Sequence, residues 1–85
     1  MYYVYFLKSI NSNAVYVGYT NDLRRRLAEH NSKHGGKYTK NKGPFALVYY
    51  EAYKSIEDAK NREARLKMHK RAYTQLKGRI SKSLK

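Results

Sequence analysis

The stretch Tyr2 to Ser9, YYVYFLKS, is β-branched and aromatic, with Tyr3, Tyr5 and Leu7 on one side and Tyr2, Val4 and Phe6 on the other. Neither side is polar, so the segment reads as an inner strand. Asn11, Ser12 and Asn13 supply a turn and Ala14 to Tyr19 returns, which makes residues 1–20 a β-hairpin. Because side chains alternate with the strand period, an even-length turn places Tyr5 and Leu7 on the same face as Tyr16 and Gly18.

The returning strand runs straight into a helix. Thr20 or Asn21 is the expected cap, Asp22 falls in the first turn, and Leu23 and Leu27 share one face. At the helical angle per residue Arg24 and Arg25 point away from that face, Arg26 lies on its edge and His30 falls inside it. Ser32 to Pro44, SKHGGKYTKNKGP, carries Lys33, Lys37, Lys40 and Lys42 among glycines and no acid, and reads as a basic loop. Phe45 to Lys54 is the expected third strand, with Glu51 on the face of Phe45, Leu47, Tyr49 and Tyr53. Ser55 with Glu57 and Asp58 marks a helix start, and the helix is expected to reach about His69 with Ile56, Ala59 and Leu66 as its apolar stripe. Glu63 lies in the middle of that stripe. Arg71 to Leu76 is expected to form a last short helix, followed by a frayed basic tail.

The expected architecture is a small single α/β domain: a three-stranded antiparallel sheet flanked by about three helices in the order β-β-α-β-α-α. The domain is expected over 1–77 and the tail over 78–85. At 85 residues the core must be thin, since a domain of this size buries roughly 60% of the surface its unfolded chain exposes. Ten tyrosines and two phenylalanines compensate, because each ring buries a large area while a hydroxyl stays wet or finds a partner.

Nineteen Lys and Arg against six acids give a net charge of +13, which favours polyanions and makes nucleic acid the leading partner. A membrane surface fits less well, because the basic helices have narrow apolar stripes. With no apolar run of spanning length and no signal-peptide pattern, a cytoplasmic protein is expected. The absence of cysteine excludes zinc-finger clusters and disulfide frameworks. A monomer or a homodimer is compatible with the sequence, Tyr50 and Tyr73 being the tyrosines expected to be exposed and able to pair subunits.

The residues placed inward are Tyr5, Tyr16, Arg26, His30 and Glu63. Phosphodiester hydrolysis asks for such an inventory: a group that takes a proton from water, a cation on the phosphate, and a carboxylate for a divalent metal. Each residue also has a plainer role. A tyrosine packs, His30 meets a helix terminus, Arg26 snorkels over the core edge, and Glu63 pairs with Lys60 and Lys67 at helical spacing.

Tyr3-Val4-Tyr5 followed by Tyr16-Val17-Gly18, then Asp22-Leu23, Arg26 and a late-helix Glu63, resembles the GIY-YIG endonuclease family over nearly the whole chain. Within it, YTNDLRRRLAEHN, GGKYT and the Ala59 to Lys67 stretch are similar to the small stand-alone bacterial proteins of the YhbQ or UPF0213 type. The nuclease domain of a eukaryotic structure-selective endonuclease is similar too. The resemblance implies the GIY-YIG nuclease fold and metal-dependent cleavage of phosphodiester bonds, structure-selective on DNA and of the repair or recombination type.

It further implies that one of Tyr5 and Tyr16 acts as general base while the other orients the water, that Arg26 binds the scissile phosphate, and that His30 assists proton transfer. Glu63 would be the sole protein ligand of one Mg2+ or Mn2+ ion, and Gly18 would leave space beside the phenols. Arg24, Arg25, Lys33, Lys37, Lys40 and Lys42 are the expected grip on flanking phosphates. The first triplet lacks its glycine, and the asparagine that many of these nucleases carry a helical turn or more after the metal glutamate has no assigned counterpart, Gln75 lying in a basic helix. The alternatives are a non-catalytic DNA- or RNA-binding protein that keeps the fold, and an accessory subunit that cuts only with a partner.

Overall fold

In the computed structural model, residues 1–32 and 44–85 are described. The strands are β1 (Tyr2–Ser9), β2 (Val15–Thr20) and β3 (Phe45–Tyr53), and the helices are α1 (Leu23–His30), α2 (Ile56–Met68) and α3 (Lys70–Arg79). The element order is the one expected. β1 is the central strand of a three-stranded sheet ordered β2-β1-β3, antiparallel to both neighbours. Its two apolar faces are thereby explained, since each carries a helical layer. Tyr5, Leu7 and Phe45 pack beneath Leu23 and Leu27 of α1. Val4, Phe6 and Val17 pack against Ala59 and Leu66 of α2 and Leu76 of α3. In the hairpin Tyr5 opposes Gly18 and Leu7 opposes Tyr16, so these four residues share a face as expected.

β3 departs from simple alternation. Phe6 opposes Tyr49, but the next β1 residue, Leu7, opposes Leu47, leaving Val48 as an extra residue. Such a bulge switches the face that every later side chain presents. Phe45 and Leu47 therefore join Tyr5 and Leu7, while Tyr49 and Tyr53 pack with Phe6 on the α2 and α3 side. Glu51, expected beside Phe45 and Leu47, is carried to the opposite layer with Tyr49 and Tyr53.

There its carboxylate is fully engaged. It accepts the hydroxyls of Tyr49 at 2.8 Å and Tyr53 at 2.6 Å, and the Arg62 guanidinium donates to it from Nε at 2.9 Å and from a terminal nitrogen at 3.1 Å. Burial pushes the Glu51 carboxyl up, but Arg62 and the two phenols outweigh it and hold the group below the usual carboxylate range. The Tyr53 phenol, half-buried against a carboxylate, is pushed up to about 12.

The helix ends show which local signals prevailed. α1 is capped by Asp22, one position later than Asn21, because its carboxylate accepts the Arg25 amide at 3.0 Å while Thr20 Oγ1 accepts the Asp22 amide at 3.1 Å. Ser55 caps α2 as expected, accepting the Glu57 and Asp58 amides. His69, with extended φ −115° and ψ 97°, ends α2 and begins α3. α3 runs past the expected Leu76 through Gly78, since Leu76 is buried and Ile80, a turn later, also packs on the core. That burial outweighs the cost of a mid-helix glycine, about 1 kcal/mol. Tyr73, expected at the surface, is half-buried and stacked on Phe6 with ring centroids 5.8 Å apart, whereas Tyr50 is exposed.

Asn31 ties the end of α1 to the start of β3. Its side-chain amide donates to the Phe45 carbonyl at 2.9 Å and accepts the Phe45 amide at 2.6 Å, standing in for a neighbouring strand. Asn31→Ala removes both bonds and leaves two backbone groups unpaired, so it is expected to cost about 2 kcal/mol, read as a lower urea midpoint at unchanged slope.

Candidate active site

The hairpin register sets Tyr5 directly across from Gly18, and the phenol leans over that glycine. A Cβ at position 18 would collide with the Tyr5 hydroxyl and sit 2.7 Å from Tyr5 Cζ and 3.0 Å from the Tyr16 ring. The missing side chain is what lets the Tyr5 ring lie across β2 with its oxygen beyond the strand. Tyr16 stands beside it, ring centroids 6.3 Å apart.

α1 packs over the same face and brings two groups to the Tyr5 oxygen. Arg26 donates from Nε at 3.3 Å, and His30 Nε2 lies 3.0 Å away. Arg26 is further held by Glu29, whose carboxylate accepts from it at 3.2 Å. His30 sits under the Tyr5 and Tyr16 rings, 1% exposed, so it is no solvent-facing helix cap.

α2 lies on the other face of the sheet, and its Glu63 meets these groups at the β2 edge. Tyr5, Tyr16, Gly18, Arg26, Glu29 and Glu63 line one open groove of about 460 Å³. Four of the five residues placed inward from the sequence thus share a cavity, and the fifth, His30, stands behind Tyr5. Arg25, expected to point away, lines the groove as well, held by a bond to Asn21 Oδ1 at 2.9 Å. Arg24 is exposed on the outer side of α1. Lys33, Lys37, Lys40 and Lys42 lie outside the described residues.

The electrostatics are set by burial and by Arg26. Burial pushes the Tyr5 phenol up to about 12, with Tyr16 and Glu63 adding to the rise and Arg26 opposing it. Tyr5 is therefore a neutral phenol near pH 7. Burial, with the Arg26 charge, holds the His30 imidazole below its usual range, so it too is neutral there. A neutral pair at 3.0 Å is satisfied when the phenol donates to Nε2 and keeps its lone pairs for Arg26. Burial works against the Arg26 charge, but hydrogen bonds with Tyr5, Glu29 and Tyr16 more than offset it and raise its pKa.

Glu63 is paired with Lys67 at 3.5 Å, the side chains being 20% and 44% exposed. The helical ion pair read as the plainer role of Glu63 is therefore present, with Glu63 in the groove wall and Lys67 outside its lining. Lys67 Nζ also stands 5.4 Å from the centre of the Tyr16 ring, a placement that helical spacing alone did not signal. No group of three or more His, Cys, Asp or Glu residues able to hold a metal occurs among the described residues. What the groove offers a cation is one carboxylate, Glu63, beside phenolic oxygens, since Glu29 is taken by Arg26. That hard-oxygen donor set suits Mg2+ or Mn2+, which keep most of their waters, and does not suit zinc.

Comparison with known proteins bears on the family. The GIY-YIG catalytic domain matches residues 1–78. A UPF0213 protein of Streptococcus pneumoniae is 46% identical over 69 residues, which cover 81% of this chain and 69% of that protein. A UPF0213 protein of Clostridium perfringens is 42% identical over 67 residues, covering 79% and 71%. The solution NMR structure of a UPF0213 protein from Bacillus halodurans matches with a TM-score of 0.53 at 41% identity, covering 89% of this chain and 82% of that one. With that agreement in fold and sequence, this chain belongs to the GIY-YIG family of nucleases and is similar to its UPF0213 proteins.

Proposed function

We propose that this protein is a metal-dependent endonuclease that hydrolyses DNA phosphodiester bonds, selecting branched or locally unpaired DNA by structure. GIY-YIG nucleases act on nucleic acid and generally depend on a divalent metal. The observation that carries the reading is the Tyr5 hydroxyl, bonded to Arg26 and His30 in a groove shared with Tyr16 and Glu63.

In this reading the scissile phosphate lies against Arg26, whose charge steadies the one that builds on the phosphoryl oxygens. Water, oriented by Tyr16, attacks phosphorus, and the bond from phosphorus to the leaving oxygen breaks as the new one forms. The proton of that water passes to the Tyr5 oxygen as Tyr5 gives its own proton to His30 Nε2. A phenol near 12 is a poor acid by itself, so the neutral imidazole behind it is what makes the transfer feasible near pH 7. Glu63 would hold the divalent ion, which when bound would supply charge neutralisation for the leaving oxygen. Lys67 would be displaced from Glu63 when that ion binds.

Arg26→Ala is expected to lower the turnover of a flapped DNA about 100-fold or more, the scale of one lost charge-stabilising group, while Arg24→Ala changes turnover by less than about threefold. Single-turnover cleavage of an end-labelled flap checks this. Equal losses for the two variants would reduce the run of arginines to a charged surface.

A further inference from the structure

A second groove, larger than the one beside Tyr5 at about 740 Å³, lies between α2 and α3. Arg62, Arg65 and Asn61 from α2 and Gln75 and Arg79 from α3 line it, with Asp58 on its wall. On α2 the positions 58, 61, 62 and 65 fall on the side away from Glu63, so the helix separates this groove from the phenols. The two share none of their lining residues.

Three guanidiniums around one hollow repel one another, and the acids nearby do not cancel them. Arg62 is matched by Glu51, whose oxygens are already taken by Arg62 and two phenols. Neither Arg65 nor Arg79 makes an ion pair among the described residues, and both are exposed. Each lies in the last turn of its helix, where a cation is welcome on any helix. That dipole effect does not explain why both line one groove with two amide side chains. Guanidiniums and amides around an open, polar hollow match the oxygens of phosphodiester groups.

Resting on the nuclease reading above, we infer that the α2–α3 groove binds backbone phosphates of a second arm of the nucleic-acid substrate, while the first arm occupies the Tyr5 groove. The two grooves lie on opposite sides of a helix about 10 Å thick. One short strand filling the Tyr5 groove does not reach the other, whereas two arms diverging from a junction straddle α2. Selection for branched DNA then follows from having two phosphate-binding grooves and requires no base contact.

The test is the salt dependence of binding, measured in EDTA so that it reads affinity whether or not the protein cuts. The 85-residue chain carrying Arg65→Gln and Arg79→Gln is compared with the parent on a flapped DNA and on a short single strand. On the flap, the slope of log affinity against log salt is expected to fall by about 1.5 to 2, the loss of two phosphate contacts, and on the short strand to stay within experimental error. A charge-matched variant, Lys60→Gln with Arg71→Gln, takes the same charge from exposed positions of the same helices and is expected to change the flap slope by less than half as much. An unchanged flap slope, an equal fall on both DNAs, or an equal fall with the charge-matched variant would overturn the assignment. Failure of the nuclease reading itself would appear separately, as absence of cleavage in magnesium by the parent protein.

Discussion

Glu63→Gln is expected to lower turnover of flapped DNA in magnesium by about 1000-fold or more, with the DNA dissociation constant within about twofold of the parent in EDTA. The size follows from losing the one groove carboxylate free of arginine, since a Lewis-acidic ion is worth several kcal/mol in the transition state and each 1.4 kcal/mol is tenfold. Affinity is spared because a carboxylate facing a polyanion contributes nothing attractive. The fold is spared as well. Glu63 is bonded to a half-exposed Lys67, and such a pair stabilises by about 1 kcal/mol at most. Single-turnover kinetics alongside fluorescence anisotropy separate the two quantities, and parallel losses in both would point to a binding role for Glu63.

The second large effect is on stability, at the opposite side of the sheet. Arg62→Ala strands the Glu51 carboxylate among Tyr49 and Tyr53 and is expected to cost about 3 kcal/mol, the lower end for breaking a buried pair. Glu51 and Arg62 side chains are 17% and 26% exposed, which places the estimate there and not higher. In a domain of this size that corresponds to a melting temperature lower by about 15 °C, read by calorimetry. The pH dependence has a definite sign. The Glu51 carboxyl is held below its ordinary value of 4.5, so its contribution is full above that pH and is lost as pH falls through the folded value. Without Arg62 that acid-side loss shrinks, and the stability curves of variant and parent converge as pH falls below the parent's folded value.

Much of this was readable from residue order. The two apolar faces of Tyr2 to Ser9 marked an inner strand, and the strand period through the hairpin set Tyr5 and Tyr16 on one face. The angular count on two helices turned Arg26, His30 and Glu63 toward the site. The Val48 bulge was invisible because Phe45 to Tyr53 alternates acceptably in either phase, and only pairing with β1 reveals the extra residue. The Glu51 cluster was missed for that reason. The bond from Asn31 to Phe45 joins residues 14 apart in sequence, a pairing that no local signal announces. Tyr73 looked like a surface residue among basic neighbours, yet α3 turns it onto Phe6.

The central claim is that the Tyr5 hydroxyl carries the proton of the attacking water. Its most direct test is cleavage of an end-labelled flapped DNA by the parent protein and by Tyr5→Phe, in magnesium near pH 7, under single-turnover conditions. The substitution keeps the ring over Gly18 and deletes one oxygen, so packing and DNA binding are preserved. The account predicts strand nicking by the parent and a rate at least about 100-fold lower for Tyr5→Phe, the scale of a general-base contribution. Nicking by Tyr5→Phe at the parental rate would contradict it.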